Sequence, residues 1–520
     1  MDYILAFDAG TGSIRSVLFD LDGNQIGCSQ EEWIHLSDER YPGSMGFDYE
    51  ANWQLLISCI KDVLSRTGVE PHNIKAISAT SMREGIVLYN SSGKEIWACA
   101  NVDSRASEEV SQLKKTCKEL EQKLYQLSGQ TFALGAVPRL LWLKNNLPDL
   151  YEKTAAMTMI NDWILYKLSG TLQVDPSNGC TTGIFDLTKR DWASGYLQEC
   201  GLKDSILTPV NEAGTLIGEI SREAASSTGL AHGTKVVSGG GDAQMGTVGA
   251  GAIEDQQTVV SGGSFWQQEV NTKQPFSDEN GRVRINCHAV PDLWQIETIA
   301  FFPGLVMRWF RDAFCQEEVV AAKANGCDPY YLLEELAKDV PVGSNGIIPV
   351  FSDIMNYYSW RHAAPSFINL TLDPNKTGKK EMFKSLQENA ALITLGNLKL
   401  IEDVTSFYPE EVIFIGGASK GRLWSQTLAD VLGVRVKVPV VKESAALGTA
   451  LYAGVGAGLY SCIQEAVEKV VTWDRVHEPV EANHQKYLEI YEKWRVVYER
   501  QLQLADEGVT AHMWKAPGFQ

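Results

Sequence analysis

Ile4-Leu5-Ala6-Phe7-Asp8-Ala9-Gly10-Thr11-Gly12-Ser13-Ile14-Arg15-Ser16-Val17-Leu18-Phe19-Asp20 reads as two short apolar strands joined by a Gly/hydroxyl turn. Glycines let backbone N–H groups approach anionic oxygens, and Thr11 and Ser13 add hydroxyl donors. Arg15 is suited to bind a phosphate bidentately, and Asp8, at a strand end, to hold Mg²⁺ through water. No G-K-[ST] follows, so this is not a Walker A loop. An ordinary hairpin turn fits the same residues. Asp22-Gly23-Asn24 makes a further turn before Gln25-Ile26-Gly27, which extends the pair to an antiparallel meander. Asp48 to Gly68 then carries Trp53, Leu56, Ile57, Ile60, Val63 and Leu64 at helical spacing, and Ile74 to Thr80 reads as a strand.

Four later stretches carry related chemistry. Ser81-Met82-Arg83-Glu84-Gly85 follows a strand and sets opposite charges side by side, fit to hydrogen-bond a polyol. Gly239-Gly240-Gly241-Asp242-Ala243-Gln244 places a carboxylate after a Gly-rich strand end, where it can take a proton from a hydroxyl; a helix N-cap reading competes. Ser261-Gly262-Gly263-Ser264-Phe265 repeats the Gly/hydroxyl turn. Gly416-Gly417-Ala418-Ser419 opens the helix Lys420 to Leu432, and small residues there admit a flat ring or a phosphate. Val236 to Gly241 and Val412 to Gly417 share a strand–GG–helix form, so the chain reads as two similar α/β halves around a cleft, with the boundary near Gly249 to Asp255. Glu443 and Lys442 read as structural.

Lys plus Arg number 46 against 65 Asp plus Glu, and the net charge of −19 over 520 residues argues against nucleic-acid binding. The ten cysteines, Cys117 among them, form no C-x-x-C pair, and the eight histidines lie far apart, so neither a zinc ribbon nor a metal cluster is expected. Tryptophans and phenylalanines follow helical or strand spacing and read as core. Ala445 to Ile463 is uncharged but Gly/Ala-rich, and predicts a buried helix and turn rather than a membrane span. The N-terminus lacks a basic signal region, and a cytoplasmic protein with reduced thiols is expected.

The order of hairpin, Arg-Glu strand end, GGGD, second hairpin and GGAS helix resembles the FGGY carbohydrate kinases of the actin/Hsp70-like ATPase superfamily. The resemblance covers nearly the whole chain, and long runs such as SMREGIVLYN, DPSNGCTTGIFDLTKRDW and WKAPG resemble one particular member of the family. It implies an α/β fold of two ribonuclease-H-like domains, residues 1–250 and 251–520, with ATP and acceptor in the cleft between them. Asp242 matches the family's catalytic base. Thr11, Gly12, Ser13 and Arg15 match the first phosphate hairpin, Gly262 and Gly263 the second, and Gly417 and Ala418 the adenosine motif. Arg83, Glu84 and Gln244 match substrate contacts of glycerol kinases, although Gln244 stands one residue further from the base. Leu134 falls where those enzymes have an aromatic, and Asn369 where many members have Gly; both depart from an ordinary glycerol or xylulose kinase. The implied reaction is ATP- and Mg²⁺-dependent phosphorylation of the C5 hydroxyl of 4,5-dihydroxy-2,3-pentanedione. The alternatives are another sugar or polyol kinase of the family, or a non-kinase ATPase. Family analogy adds a regulatory phosphotransferase-system phosphocarrier protein as a partner.

Overall fold

The computed structural model describes every residue except 117, 194, 442, 519 and 520, so Cys117 and Lys442 lie outside the described residues. Two seven-stranded sheets dominate it. In the first, Tyr3–Ala9, Ser13–Asp20 and Gln25–Glu32 form the expected antiparallel meander. Ile74–Ser81 joins Tyr3–Ala9 in parallel, and Lys235–Val237 joins Ile74–Ser81 in parallel. In the second, Thr258–Gly262, Trp266–Thr272 and Trp294–Ala300 form the meander. Glu411–Ile415 and Arg435–Pro439 add to it in parallel. Counting these five strands alone, both sheets run in the order third, second, first, fourth, fifth, the ribonuclease-H-like arrangement expected; Leu216–Glu219 flanks the first sheet, and Arg284–Cys287 and Trp473–His477 flank the second.

This order corrects the internal repeat. Val412 to Gly417 belongs to the fourth strand of its sheet and Val236 to Gly241 to the end of the fifth. The true counterpart of Asp242–Gly249 is the helix Ser444–Gly456, which follows the fifth strand of the second half. Two strand ends of the same Gly-Gly composition look alike in sequence whatever their place in the sheet. The two equivalent helices cross at closest approach through glycines. A Cβ on Gly249 would lie 1.9 Å from the Ser444 carbonyl oxygen, and one on Gly448 2.0 Å from that of Met245.

Packing follows from the pattern of apolar residues. Tyr49–Thr67 is capped by the Asp48 carboxylate, which accepts from Ala51 N at 3.0 Å, and it ends at Gly68 in the left-handed region. Its Leu56, Cys59, Ile60 and Val63 cover one face of the first sheet. The other face, with Ile4, Ala6, Val17, Phe19 and Ala76, is covered by Met245 and Val248 and by Ala446, Leu447, Ala450, Ile463, Val467 and Val470. Most of the cover of that face is thus supplied by the second half of the chain. Ala445 to Ile463 does form the buried helix and turn read from sequence, and among the described residues no helix is long and apolar enough to cross a membrane. Asn369 sits at φ 63° with its amide donating to the Gly346 carbonyl at 2.8 Å. That left-handed backbone suits Gly, and Asn is the side chain that best tolerates it. A smaller five-stranded sheet (His35–Leu36, Gly46–Phe47, Glu95–Cys99, Ile86–Tyr89, Ala156–Met159) carries residues 84 and 101–107 to the cleft.

Candidate active site

Asp242 is the first residue of the helix Asp242–Gly249, set there by the Gly240–Gly241 bridge to the end of Ile74–Ser81. The N-cap of that helix is Gly241, without a side-chain cap bond, so the N-cap reading of Asp242 fails: its Oδ1 accepts only from the neighbouring Ala243 N, at 2.8 Å, and 35% of the side chain faces the cleft. Two cavities meet at this carboxyl. The smaller, of about 260 Å³, is lined by Asp8, Arg15, Ser261, Glu269, Gly416 and Glu443. The larger, of about 420 Å³, is lined by Thr11, Arg83, Glu84, Arg284, Leu134 and several aromatic side chains. Asp242 and Gln267 line both. Enclosure by the cleft walls pushes the Asp242 carboxyl up to about 7; Arg83, with Nε 3.8 Å away, opposes this, while Asp8 and Glu84 add to it. Asp8 is raised to about 6, mainly by burial, against the pull of Arg15 and with the push of Glu443.

The first hairpin is held from behind. Trp33 Nε1 donates to the Gly10 carbonyl and Trp33 N to that of Gly12, both at 3.0 Å, and Asn101 donates to Thr11 Oγ1 at 3.0 Å. Thr11 therefore walls the larger cavity, and Ser13 pairs into its strand opposite Glu32. Arg15 is less free than expected: Nη1 donates to Glu443 at 2.7 Å and Nε to Gln30 at 3.0 Å. Glu443, read as structural from sequence, is thus a cavity-lining residue that ties the second half to the first hairpin.

The glycines of the hairpins differ in kind. Gly12 is exposed, and a Cβ there would meet nothing within 4 Å. On Gly263 a Cβ would meet only the Phe265 carbonyl, at 3.4 Å. Gly262 is buried, and a Cβ there would lie 2.7 Å from the Ala418 Cβ and 2.8 Å from the Phe414 ring. It packs the second hairpin onto the Gly417–Lys420 turn instead of facing the cleft. Gly417 is exposed, with open space where a Cβ would stand. Gly12→Val is accordingly expected to weaken binding of a non-hydrolysable ATP analogue about ten-fold with the melting temperature unchanged. Gly262→Val should instead lower stability by about 1–3 kcal/mol through overpacking. Calorimetry and thermal melting separate the two.

Arg83 and Glu84 are buried in a ring of four charges. Arg83 donates to both carboxylate oxygens of Glu297, at 2.5 and 2.6 Å, and Arg284 Nη2 donates to Glu84. Arg284 and Glu297 stand directly opposite each other on neighbouring strands of the second sheet. Burial works against the Glu297 charge, but Arg83, Arg284 and the Asn286 amide hold its carboxyl below the usual range. Glu84 keeps a left-handed backbone at φ 61°, and Arg139 holds its carbonyl. The ring joins the two halves, so Arg83 and Glu84 reach the larger cavity already paired. Glu269 is buried beside the smaller cavity with Oε1 unpartnered, and burial, Glu297 and Asp242 push its carboxyl well above the usual range.

Gln244 lines neither cavity; it is fully buried with both amide atoms unpartnered. Leu134 does line the larger cavity, and aromatic side chains come from elsewhere: Phe265, Phe301, Phe302, Trp360 and Trp514. Reading aromatics as core by default misses these, because spacing within a strand or turn does not reveal a cavity wall. Among the described residues no three His, Cys, Asp or Glu side chains gather as a metal site.

The FGGY family of carbohydrate kinases matches twice, its N-terminal domain over residues 3–249 and its C-terminal domain over residues 268–457. The chain belongs to this family and is an ATP-dependent kinase. It is 53% identical over 518 residues to Autoinducer-2 kinase of Escherichia coli (strain K12), covering 99% of this chain and 98% of that protein. The protein of the same name from Salmonella paratyphi B is 52% identical over the same shares of both chains. Among solved structures, xylulose kinase from Rhodospirillum rubrum is similar with a TM-score of 0.83 at 20% identity, over 96% of this chain and 99% of that one. Plasmodium falciparum glycerol kinase with ADP is similar with a TM-score of 0.83 at 18% identity, over 96% and 98%.

Proposed function

We propose that the protein transfers the terminal phosphoryl group of ATP to the C5 hydroxyl of 4,5-dihydroxy-2,3-pentanedione, the open-chain form of autoinducer-2. The observation that carries this reading is the Asp242 carboxyl, raised and placed where the two cavities meet. In it, the larger cavity takes the acceptor and the smaller takes the phosphates. The charge ring sums to zero and the remaining wall mixes five aromatic rings with polar side chains such as Asn101, Ser104 and Gln267, which suits a short, neutral, oxygen-rich molecule. Relatives more than 50% identical over nearly the full length carry the corresponding name.

Asp242 accepts the proton of the attacking hydroxyl, and Gly10, Arg15 and Ser261, which line the smaller cavity, face the phosphates. Asp8 and Asp242 present carboxylate oxygens to the smaller cavity. These are hard oxygen donors of the kind Mg²⁺ takes, one or two at a time, alongside phosphates and water. When bound, the cation supplies neutralisation of the transferring phosphoryl group's charge. A cytoplasmic location and a regulatory phosphocarrier protein belong to this reading on family grounds, and titration with the carrier in both phosphorylation states tests the latter.

The test is ADP release across a panel of pentanedione, glycerol, D-xylulose and gluconate. The pentanedione is expected to exceed the others in kcat/KM by about 10² or more, the discrimination that unpaired buried polar groups impose on a misfit acceptor. A higher value for any other acceptor rejects the assignment.

A further inference from the structure

Residues 513–518 cross the mouth of the larger cavity. Trp514–Lys515 pairs antiparallel with Arg361–His362 of the second half. Met513 N donates to the His362 carbonyl at 3.2 Å and Ala516 N to that of Trp360 at 2.9 Å. The root is fixed by Asp506, which pairs with Arg361 at 2.7 Å and with His512 at 2.9 Å. The far end touches the other half: a Cβ on Gly518 would lie 2.4 Å from the Val110 side chain, on the helix Ser107–Thr116. Between these anchors Trp514, Lys515 and Pro517 face the cavity. The Trp514 ring lies 4.3 Å from that of Phe301 and 5.2 Å from that of Trp360, centre to centre.

Lys515 is exposed and makes no ion pair among the described residues. The other cations on the cavity wall, Arg83 and Arg284, are committed to Glu297 and Glu84. The family match ends at residue 457, so this strap lies outside the part of the chain that the family's members share through it.

We propose that the strap 513–518 is the acceptor-selectivity element of this kinase. Trp514 limits the length of acceptor the cavity admits, and the Lys515 ammonium donates to a carbonyl or hydroxyl oxygen at the acceptor's non-reacting end. The proposal rests on the larger cavity being the acceptor site, but not on which acceptor is best.

Lys515→Met and Trp514→Ala test it, with Lys515→Arg as the conservative control. Each is assayed on the best acceptor found for the unaltered protein and on a six-carbon polyol. Lys515→Met is expected to raise the acceptor KM about ten-fold, the scale of one charge-assisted hydrogen bond, with kcat within about two-fold and ATP affinity unchanged. Lys515→Arg should recover most of the loss. Trp514→Ala is expected to raise the polyol's kcat/KM relative to the best acceptor by about ten-fold or more. An unchanged acceptor KM in Lys515→Met overturns the proposal, and that variant decides alone if Trp514→Ala fails to fold. An unchanged acceptor ratio in folded Trp514→Ala overturns it as well. If the pentanedione is not the best acceptor of the unaltered protein, the proposed substrate fails while the strap is still tested on whichever acceptor replaces it.

Discussion

Replacing Asp242 with asparagine lowers kcat by about 10²- to 10⁴-fold, the usual worth of a positioned general base, and leaves ATP binding in place. The pH dependence supplies a second signature. With the carboxyl pushed up to about 7, the base form is lost as pH falls through neutrality, so kcat/KM of the unaltered protein rises with pH across that range. The variant loses this limb. Stability runs the other way. Between about pH 4 and 7 the native carboxyl holds a proton that the unfolded chain has released, so this group's contribution to stability falls as pH rises through that window. Asp242→Asn is therefore expected to melt at or above the parent temperature at pH 8. A kcat near that of the parent, in a variant that melts so, removes Asp242 from the role of base.

Glu297→Ala is expected to cost about 3–5 kcal/mol of stability, because it leaves Arg83 buried without its bidentate partner. The same substitution acts on the chemistry. Arg83 Nε already stands 3.8 Å from Asp242, and freed of Glu297 its charge is spent on that carboxylate. The acid limb of the rate profile should then move to lower pH. The double variant Arg83→Met, Glu297→Met removes both buried charges and should regain much of the lost stability. Denaturant titration reads the first effect and the pH profile the second. A single variant as stable as the parent shows the ring to be dispensable. Glu84→Ala is a poor probe of acceptor binding for the same reason, since it strands Arg284.

The fold was legible because its signals are local. The Asp8–Ser13 turn between apolar runs, the capped helix after Asp48 and the Gly-rich approach to Asp242 each specify their own geometry within a few residues. Where the strands go in the sheet is not local, and two Gly-Gly strand ends therefore look equivalent in sequence while occupying different places in their sheets. The site divides in the same way. Asp8, Arg15, Arg83, Glu84 and Asp242 stand out against strand ends and turns. Arg284, Glu297 and Glu269 lie inside strands, where polar residues at every second position look like a solvated face until the facing half is in place. Gly262 and Gly12 are the same residue in similar turns, and only the neighbours supplied by Phe414 and Ala418 separate a packing role from an open, exposed one. The aromatic wall is assembled from residues more than 200 positions apart, Phe301 with Trp514, and no sequence window contains both.

The helix Ser444–Gly456 covers a sheet begun at Tyr3, and this has a consequence for the nascent chain. When a ribosome has made the first 250 residues, Ile4, Ala6, Val17 and Phe19 still lack most of their cover. Leu447, Ala450 and Val467 emerge about 200 residues later, roughly 10–40 s at ordinary elongation rates of about 5–20 residues/s. Through that interval a sticky apolar face is exposed on a half-finished domain, a substrate for chaperones and a site of misassociation between neighbouring polysomal chains. The first domain to be synthesised is thus among the last to be completed, and synthesis of this protein is most vulnerable in the middle.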